Sequence, residues 1–244
     1  MKDNFSAQSK QYAAFRPGYP AELVKYLVSL TKEQERAWDC ATGNGQMAVL
    51  LSEHFAEVQA TDISQNQLFN ATPKANIHYS LAPAEETSFP DHFFDLITVA
   101  QAVHWFNFDM FYKEARRVLK PGGIIALIGY GLLKTNTDLD AVIHNFYSNI
   151  TGPFWDAERR YLDEEYKTIP FPFSEIELPE FEIIYQWSEE DLLGYLGTWS
   201  AVQHYKKAKG EDPLLLITSD LEKWFTQHKT ATVTFPLFTR TGIV

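Results

Sequence analysis

Three short stretches of the chain carry residue types that could do chemistry. The first reads Asp39-Cys40-Ala41-Thr42-Gly43-Asn44-Gly45-Gln46-Met47-Ala48. Glycines let a backbone turn tightly and approach a ligand with no Cβ in the way. A helix that follows such a turn presents unpaired N–H groups at its start. The second stretch is Thr61-Asp62-Ile63. Asp62 lies about 20 residues beyond Gly43, the spacing of a carboxylate that accepts hydrogen bonds from ribose hydroxyls. Together these stretches predict a ligand that carries a nucleoside. The third, Gln101-Ala102-Val103-His104-Trp105-Phe106, follows an apolar run and offers one side chain with a near-neutral pKa, His104.

Gly43, Gly45 and Ala48 also satisfy the dinucleotide pattern G-x-G-x-x-A, which keeps NAD open as a ligand. Asp39 favours another choice. A carboxylate beside the turn would repel a pyrophosphate, whereas it suits a ligand with an α-ammonium group and a sulfonium. S-adenosylmethionine carries both. The plain alternative is a turn that only joins a strand to a helix. For His104 the two readings are a general base and a ring that packs on Trp105 and bonds the backbone.

The elements that must hold these residues alternate along the chain. Short strands are predicted at 36–40, 57–61, 77–81, 94–100 and 124–128. Helices are predicted at 21–30, 46–54, 65–71 and 110–119, the last stopped by Pro121-Gly122-Gly123. The run Phe-Asp-Leu-Ile-Thr-Val-Ala at 94–100 is apolar and β-branched, as expected for a strand buried on both faces. Such alternation predicts a parallel sheet covered by helices on both sides. Beyond Gly131, helices are predicted at 138–149, 189–196 and 213–228, and strands at 182–187 and 231–239. The aromatics between Phe154 and Tyr205 are read mainly as core, with a few lining an apolar pocket. Arg159 and Arg160 could anchor an acidic substrate, or could be ordinary solvated residues.

Lys and Arg number 21 against 32 Asp and Glu, a formal net charge of −11, and no basic stripe stands out. Nucleic-acid binding draws much of its affinity from phosphate neutralisation, so a nucleic-acid partner is not expected. No apolar run approaches the roughly 20 residues needed to span a bilayer. The start, Met1-Lys2-Asp3-Asn4-Phe5, is not of signal-peptide type. Cys40 is the sole cysteine, so no internal disulfide can form. A cytoplasmic protein with no membrane partner is the expectation. No Cys or His cluster has metal-ligand spacing, and no nucleophilic triad pattern is visible.

Five blocks then resemble, in order, the class I S-adenosylmethionine-dependent methyltransferase superfamily. They are Trp38 to Gly45, Thr61-Asp62, Ala82-Pro83-Ala84-Glu85, Phe94-Asp95-Leu96-Ile97 and Arg117 to Gly123. Tyr12 to Pro20 and Gln101 to Phe106 look like the type 11 subgroup that contains trans-aconitate methyltransferase. The resemblance implies that Gly43 and Gly45 face the methionine part of the cofactor, with Asp39 and Ala41 beside them. It implies that Asp62 holds the ribose, with Ile63 among the cofactor-binding residues, that Ala84 and Glu85 lie by adenine, and that Gln101 and Ala102 border the reactive methyl. The family usually has glycine where Ala41 stands, and often an acid where Pro83 stands. Arg16 could pair with the cofactor's carboxylate or with an acidic substrate. If its segment is helical, Tyr12 shares a face with Arg16 and the arm can close as a lid.

The expectation is therefore one α/β domain over residues 1–244, a Rossmann-like doubly wound seven-stranded sheet. Its order is 3-2-1-4-5-7-6, with the last strand antiparallel, and it carries a helical cap. The cofactor core spans about 21–133 with strands near 181–187 and 231–239. The lid spans 1–20, and the substrate cap about 134–180 and 188–228. The expected activity is methyl transfer from S-adenosylmethionine to an oxygen or nitrogen of a small molecule, acidic or aromatic, with His104 as the catalytic candidate. An NAD-dependent oxidoreductase and a non-catalytic S-adenosylmethionine-binding protein stay open. Nothing in the sequence sets an oligomeric state.

Overall fold

The computed structural model describes residues 15–244. Tyr12 and most of the expected lid lie outside them. In the first half, helices α1 (Ala21–Ser29), α2 (Gln46–Leu51), α3 (Gln65–Phe69) and α4 (Phe108–Val118) alternate with five strands. The strands are β1 (Arg36–Cys40), β2 (Glu57–Asp62), β3 (Ile77–Leu81), β4 (Phe94–Ala100) and β5 (Leu119–Tyr130). They pair parallel in the order β3-β2-β1-β4-β5.

Side chains alternate across the strands, so both faces of the sheet are apolar. Trp38, Ile97, Val99, Ile125 and Leu127 meet Phe111, Ala115 and Val118 of α4 on one face. Ala37, Val58, Leu96, Ala126 and Ile128 meet Leu23, Leu27, Met47 and Leu51 of α1 and α2 on the other. Every residue of β4 but Ala100 is buried, as the apolar run requires.

The second half holds helices α5 (Leu139–Asn145), α6 (Arg160–Asp163), α7 (Glu189–Gly197), α8 (Ser200–Lys209) and α9 (Thr218–Phe225). With them come strands β6 (Ser174–Ile176), β7 (Glu182–Trp187) and β8 (Ala231–Ile243). β8 runs antiparallel between β5 and β7, which gives the expected sheet order, with β7 and β8 as the expected sixth and seventh strands. The short β6 is an addition, and it pairs with Thr241–Ile243 at the far end of β8. β8 therefore runs past the predicted end at Thr239. Gly242 stays in the strand because Phe171 and Phe173 occupy the place of its missing Cβ, 2.8 and 2.7 Å away. Helix α8 was expected only as an undefined part of a cap. Ala201 and Val202 are its only buried residues, so its apolar face is too narrow to read from the sequence.

A second apolar core lies under these helices. It is built from Phe146, Trp187, Tyr195, Trp199, Val233 and Phe235, and it reaches the sheet at Tyr130. No helix among the described residues is long and apolar enough to cross a membrane.

Candidate active site

The sheet reverses its order between β1 and β4, and a doubly wound sheet offers a crevice at the carboxyl ends of such strands. A cavity opens there, the usual place for a small-molecule site in such a sheet. Asp39, Ala41, Thr42, Gly43, Asp62, Ile63, Gln101 and Ala102 line it, joined by Arg16 and Tyr130. Seven of the sequence-predicted residues are thus on its wall, with Arg16 an eighth.

Asp39 is 1% exposed and lies near the end of β1. Its carboxylate accepts hydrogen bonds from the hydroxyls of Thr98 (2.9 Å) and Thr42. Burial pushes its pKa up to about 6, and the nearby charge of Asp62 adds to this, while the two hydroxyls pull the other way. Among the described residues no cationic side chain pairs with it.

Asp62 closes β2 and grips the turn. One carboxylate oxygen accepts from the Gly43 amide at 2.9 Å, the other from the Ser64 amide at 2.8 Å. Ser64 in turn caps α3 by accepting from the Gln67 amide. The turn is left-handed at Ala41 (φ 56°), Gly43 (φ 57°) and Gly45 (φ 84°). The family's usual glycine in place of Ala41 is understandable, because that conformation crowds a Cβ.

Gly43 and Gly45 are glycines for different reasons. A Cβ on Gly43 would meet nothing within 4 Å. On Gly45 it would fall 2.2 Å from the Tyr79 hydroxyl, which donates to the Thr72 carbonyl at 2.8 Å. Gly45 is not on the cavity wall; a tyrosine of β3 takes up its open side. Ala84 and Glu85 are also absent from the wall. Ala84 is buried in the apolar core, and a Glu85 carboxylate oxygen accepts from the Asn107 amide at 3.0 Å ahead of α4.

Gln101 follows β4 with φ 56°. Its backbone amide donates to the Ile128 carbonyl, and its side-chain amide donates to the Tyr130 carbonyl at 3.1 Å. Gln101, Arg16 and Trp105 also line a second, smaller cavity, so the two spaces share a wall. His104, Trp155, Asp156, Arg159, Leu162 and Ser200 complete the second cavity.

His104 sits in a short helical turn, Val103–Trp105, and is 5% exposed. Burial, with Arg159 as a second cause, pulls its pKa down to about 3. The ring is neutral at physiological pH and a feeble proton acceptor, which counts against the general-base reading. The structure also separates the two arginines that the sequence left together. Arg159 stacks over Trp155 and Tyr147, and its Nε donates to the Tyr147 hydroxyl at 2.9 Å. Arg160 lies exposed on Tyr161. Arg16 donates to the Tyr130 hydroxyl (3.1 Å) and to the Thr198 carbonyl (3.3 Å).

Sequence reasoning missed Tyr130. It ends β5, and its place at the carboxyl end of a central strand was a usable signal. Trp155 is one of the few aromatics of the second half that line a pocket.

A family profile described as a methyltransferase domain matches residues 38–127. A protein of Dictyostelium discoideum named as a methyltransferase is 36% identical over 97% of this chain and 93% of its own length. A solved structure described as a type II methyltransferase, from Anaeromyxobacter dehalogenans, superposes with a TM-score of 0.87. It is 39% identical, over 94% of this chain and 98% of that one. The demethylmenaquinone methyltransferase of Thermus thermophilus is 30% identical, over 59% of this chain and 72% of its own length.

Proposed function

Because the chain belongs to the class I S-adenosylmethionine-dependent methyltransferase superfamily, we propose that it methylates a small anionic molecule on a carboxylate oxygen. The cofactor's place is the first cavity and the acceptor's is the second. The observation that carries this reading is the shared wall, where Gln101, Trp105 and Arg16 separate the two spaces.

The first cavity fits S-adenosylmethionine. Asp39 is a buried carboxylate with no cationic partner among the described residues, which suits an ammonium group. Gly43 leaves room for a close approach. Asp62, fixed by two amides, stands on the cavity wall as an acceptor for ribose hydroxyls. The buried Asp39 also disfavours a pyrophosphate and hence NAD. The bound cofactor supplies an electrophilic methyl group.

The protein's own part is to bind, orient and keep out water. Alignment alone can contribute up to roughly 7–11 kcal/mol. Arg16 and Arg159 bring two guanidiniums to the acceptor cavity, a favourable place for a carboxylate. A carboxylate also needs no base. The oxygen–methyl bond forms as the methyl–sulfur bond breaks, and no proton leaves the acceptor. An amine or hydroxyl acceptor would need a proton acceptor, and His104 is a poor one. In this reading the core spans 21–133 with β7 and β8, the segment Phe15 to Pro20 belongs to an arm beside both cavities, and 134–180 with 188–228 form a cap over the acceptor.

Transfer of radiolabelled methyl from S-adenosylmethionine to a panel of acids, phenols and amines tests the reading. The expected product is a base-labile ester. Label found only in base-stable ethers or methylamines would overturn the carboxylate assignment, and tight S-adenosylmethionine binding with no transfer to any acceptor would favour a non-catalytic binder.

A further inference from the structure

His104, on the wall of the second cavity, contacts Tyr166, with His104 Nδ1 3.2 Å from the Tyr166 hydroxyl. Tyr166 is fully buried. It is reached through two successive left-handed residues, Glu165 (φ 53°) and Tyr166 (φ 58°), neither of them glycine. Such a conformation persists only where the surroundings impose it. Here the Tyr166 amide donates to the Tyr161 carbonyl at 2.7 Å, and Arg240 donates to the carbonyls of Tyr166 and Ile169. The Tyr166 ring also stands edge-on to Phe238. The hydroxyl is therefore held in place from several sides.

A phenol O–H is a good donor, and its oxygen, conjugated with the ring, is a weak acceptor. The bare nitrogen of a neutral imidazole is a strong acceptor. The contact thus favours O–H donation from Tyr166 to Nδ1, which leaves the ring's proton on Nε2. No described residue bonds Nε2, and the ring lines the cavity beside Arg16, Asp156 and Arg159.

We propose that Tyr166 is a positioning residue that fixes His104 as the Nε2–H tautomer. His104 then donates a hydrogen bond to the anionic acceptor instead of taking a proton from it. The inference rests on the second cavity being the acceptor site. It changes what that cavity selects: His104 joins Arg16 and Arg159 as donors on a wall that also carries the Asp156 carboxylate, and no proton acceptor is required.

Imidazole ¹⁵N–¹H correlation spectra of the full chain test the tautomer without any turnover, with the His104 signals identified by their loss in His104→Gln. Nε2 protonated and Nδ1 bare across neutral pH is the expected result, with Tyr166→Phe admitting the other tautomer. A ring protonated on Nδ1, or one that titrates near neutrality, would overturn the proposal. Methyl transfer to citrate, succinate and benzoate supplies the second arm. His104→Ala raises KM on the order of 10- to 100-fold with a smaller change in kcat. His104→Gln, whose amide can donate from nearly the same place, recovers most of that loss. Equal losses of kcat in both variants would mark His104 as a base and sink the donor role. If none of the three acids is methylated, the acceptor reading fails while the spectra still decide the tautomer.

Discussion

The Asp62 carboxylate accepts a hydrogen bond from the Gly43 amide at 2.9 Å, so the end of β2 holds the turn that follows β1. One residue thus shapes the cavity as well as standing on its wall. Asp62→Ala is expected to weaken S-adenosylmethionine binding by about 1–3 kcal/mol and to lower the melting temperature. Asp62→Asn, which keeps one acceptor oxygen, falls between. Calorimetric titration of the folded variants checks this, and unchanged affinity in the alanine variant would remove Asp62 from the ribose role.

Ala41 sits in a left-handed conformation at φ 56°. Glycine there relieves strain but adds entropy to the unfolded chain. Ala41→Gly is expected to stabilise the fold by about 0.5–1 kcal/mol, with little change in ligand affinity. Thermal unfolding measures the first and titration the second.

Gly45 should not tolerate the reverse change. Gly45→Ala drives a Cβ into Tyr79 and strains φ 84° as well. A loss of roughly 2–3 kcal/mol is expected, of which Tyr79→Leu recovers part by vacating the space. No recovery in the double variant would show that backbone strain accounts for the whole effect.

The Asp39 carboxyl is raised from 3.8 to about 6 by burial. A raised carboxyl favours its neutral form in the fold. Its contribution to stability is therefore full below pH 4 and is lost as pH rises through 6. Binding of a cationic ligand has the opposite sign, since it needs the ionised form. Affinity for S-adenosylmethionine should fall about tenfold per pH unit below pH 6. Asp39→Asn should remove that dependence, bind weakly throughout, and be the more stable protein at pH 8. Chemical denaturation and titration from pH 5 to 8 separate the two effects.

Arg159 presents a guanidinium braced by Trp155 and Tyr147. Arg159→Lys keeps the charge but loses the planar fork. For any carboxylate that is turned over, KM should rise about tenfold in the lysine variant and further in Arg159→Gln. The same KM in all three proteins would place the anion elsewhere.

Much of the sheet was legible because its signals are local. The apolar run of β4 and the glycine turn each lie within ten consecutive residues. The carboxylate at Asp62 could be placed by distance along the chain alone. What stayed hidden depends on partners far away in sequence. The close approach of Gly45 to Tyr79 on β3 has no local signal. Arg159 and Arg160 are adjacent and chemically alike; only the stacking of Trp155 and Tyr147 assigns one of them to the cavity. The prolongation of β8 through Gly242 rests on two phenylalanines from a stretch that reads as loop.

β8 pairs with β7 over Ala231–Pro236 and with β5 over Leu237–Ile243. One continuous strand therefore belongs to both apolar cores. The apolar core under the cap helices is thus joined to the sheet through that strand's backbone bonds. Slow amide exchange at Val233 and at Ile125 is therefore expected to fade at one denaturant concentration, the two cores opening as a single cooperative body.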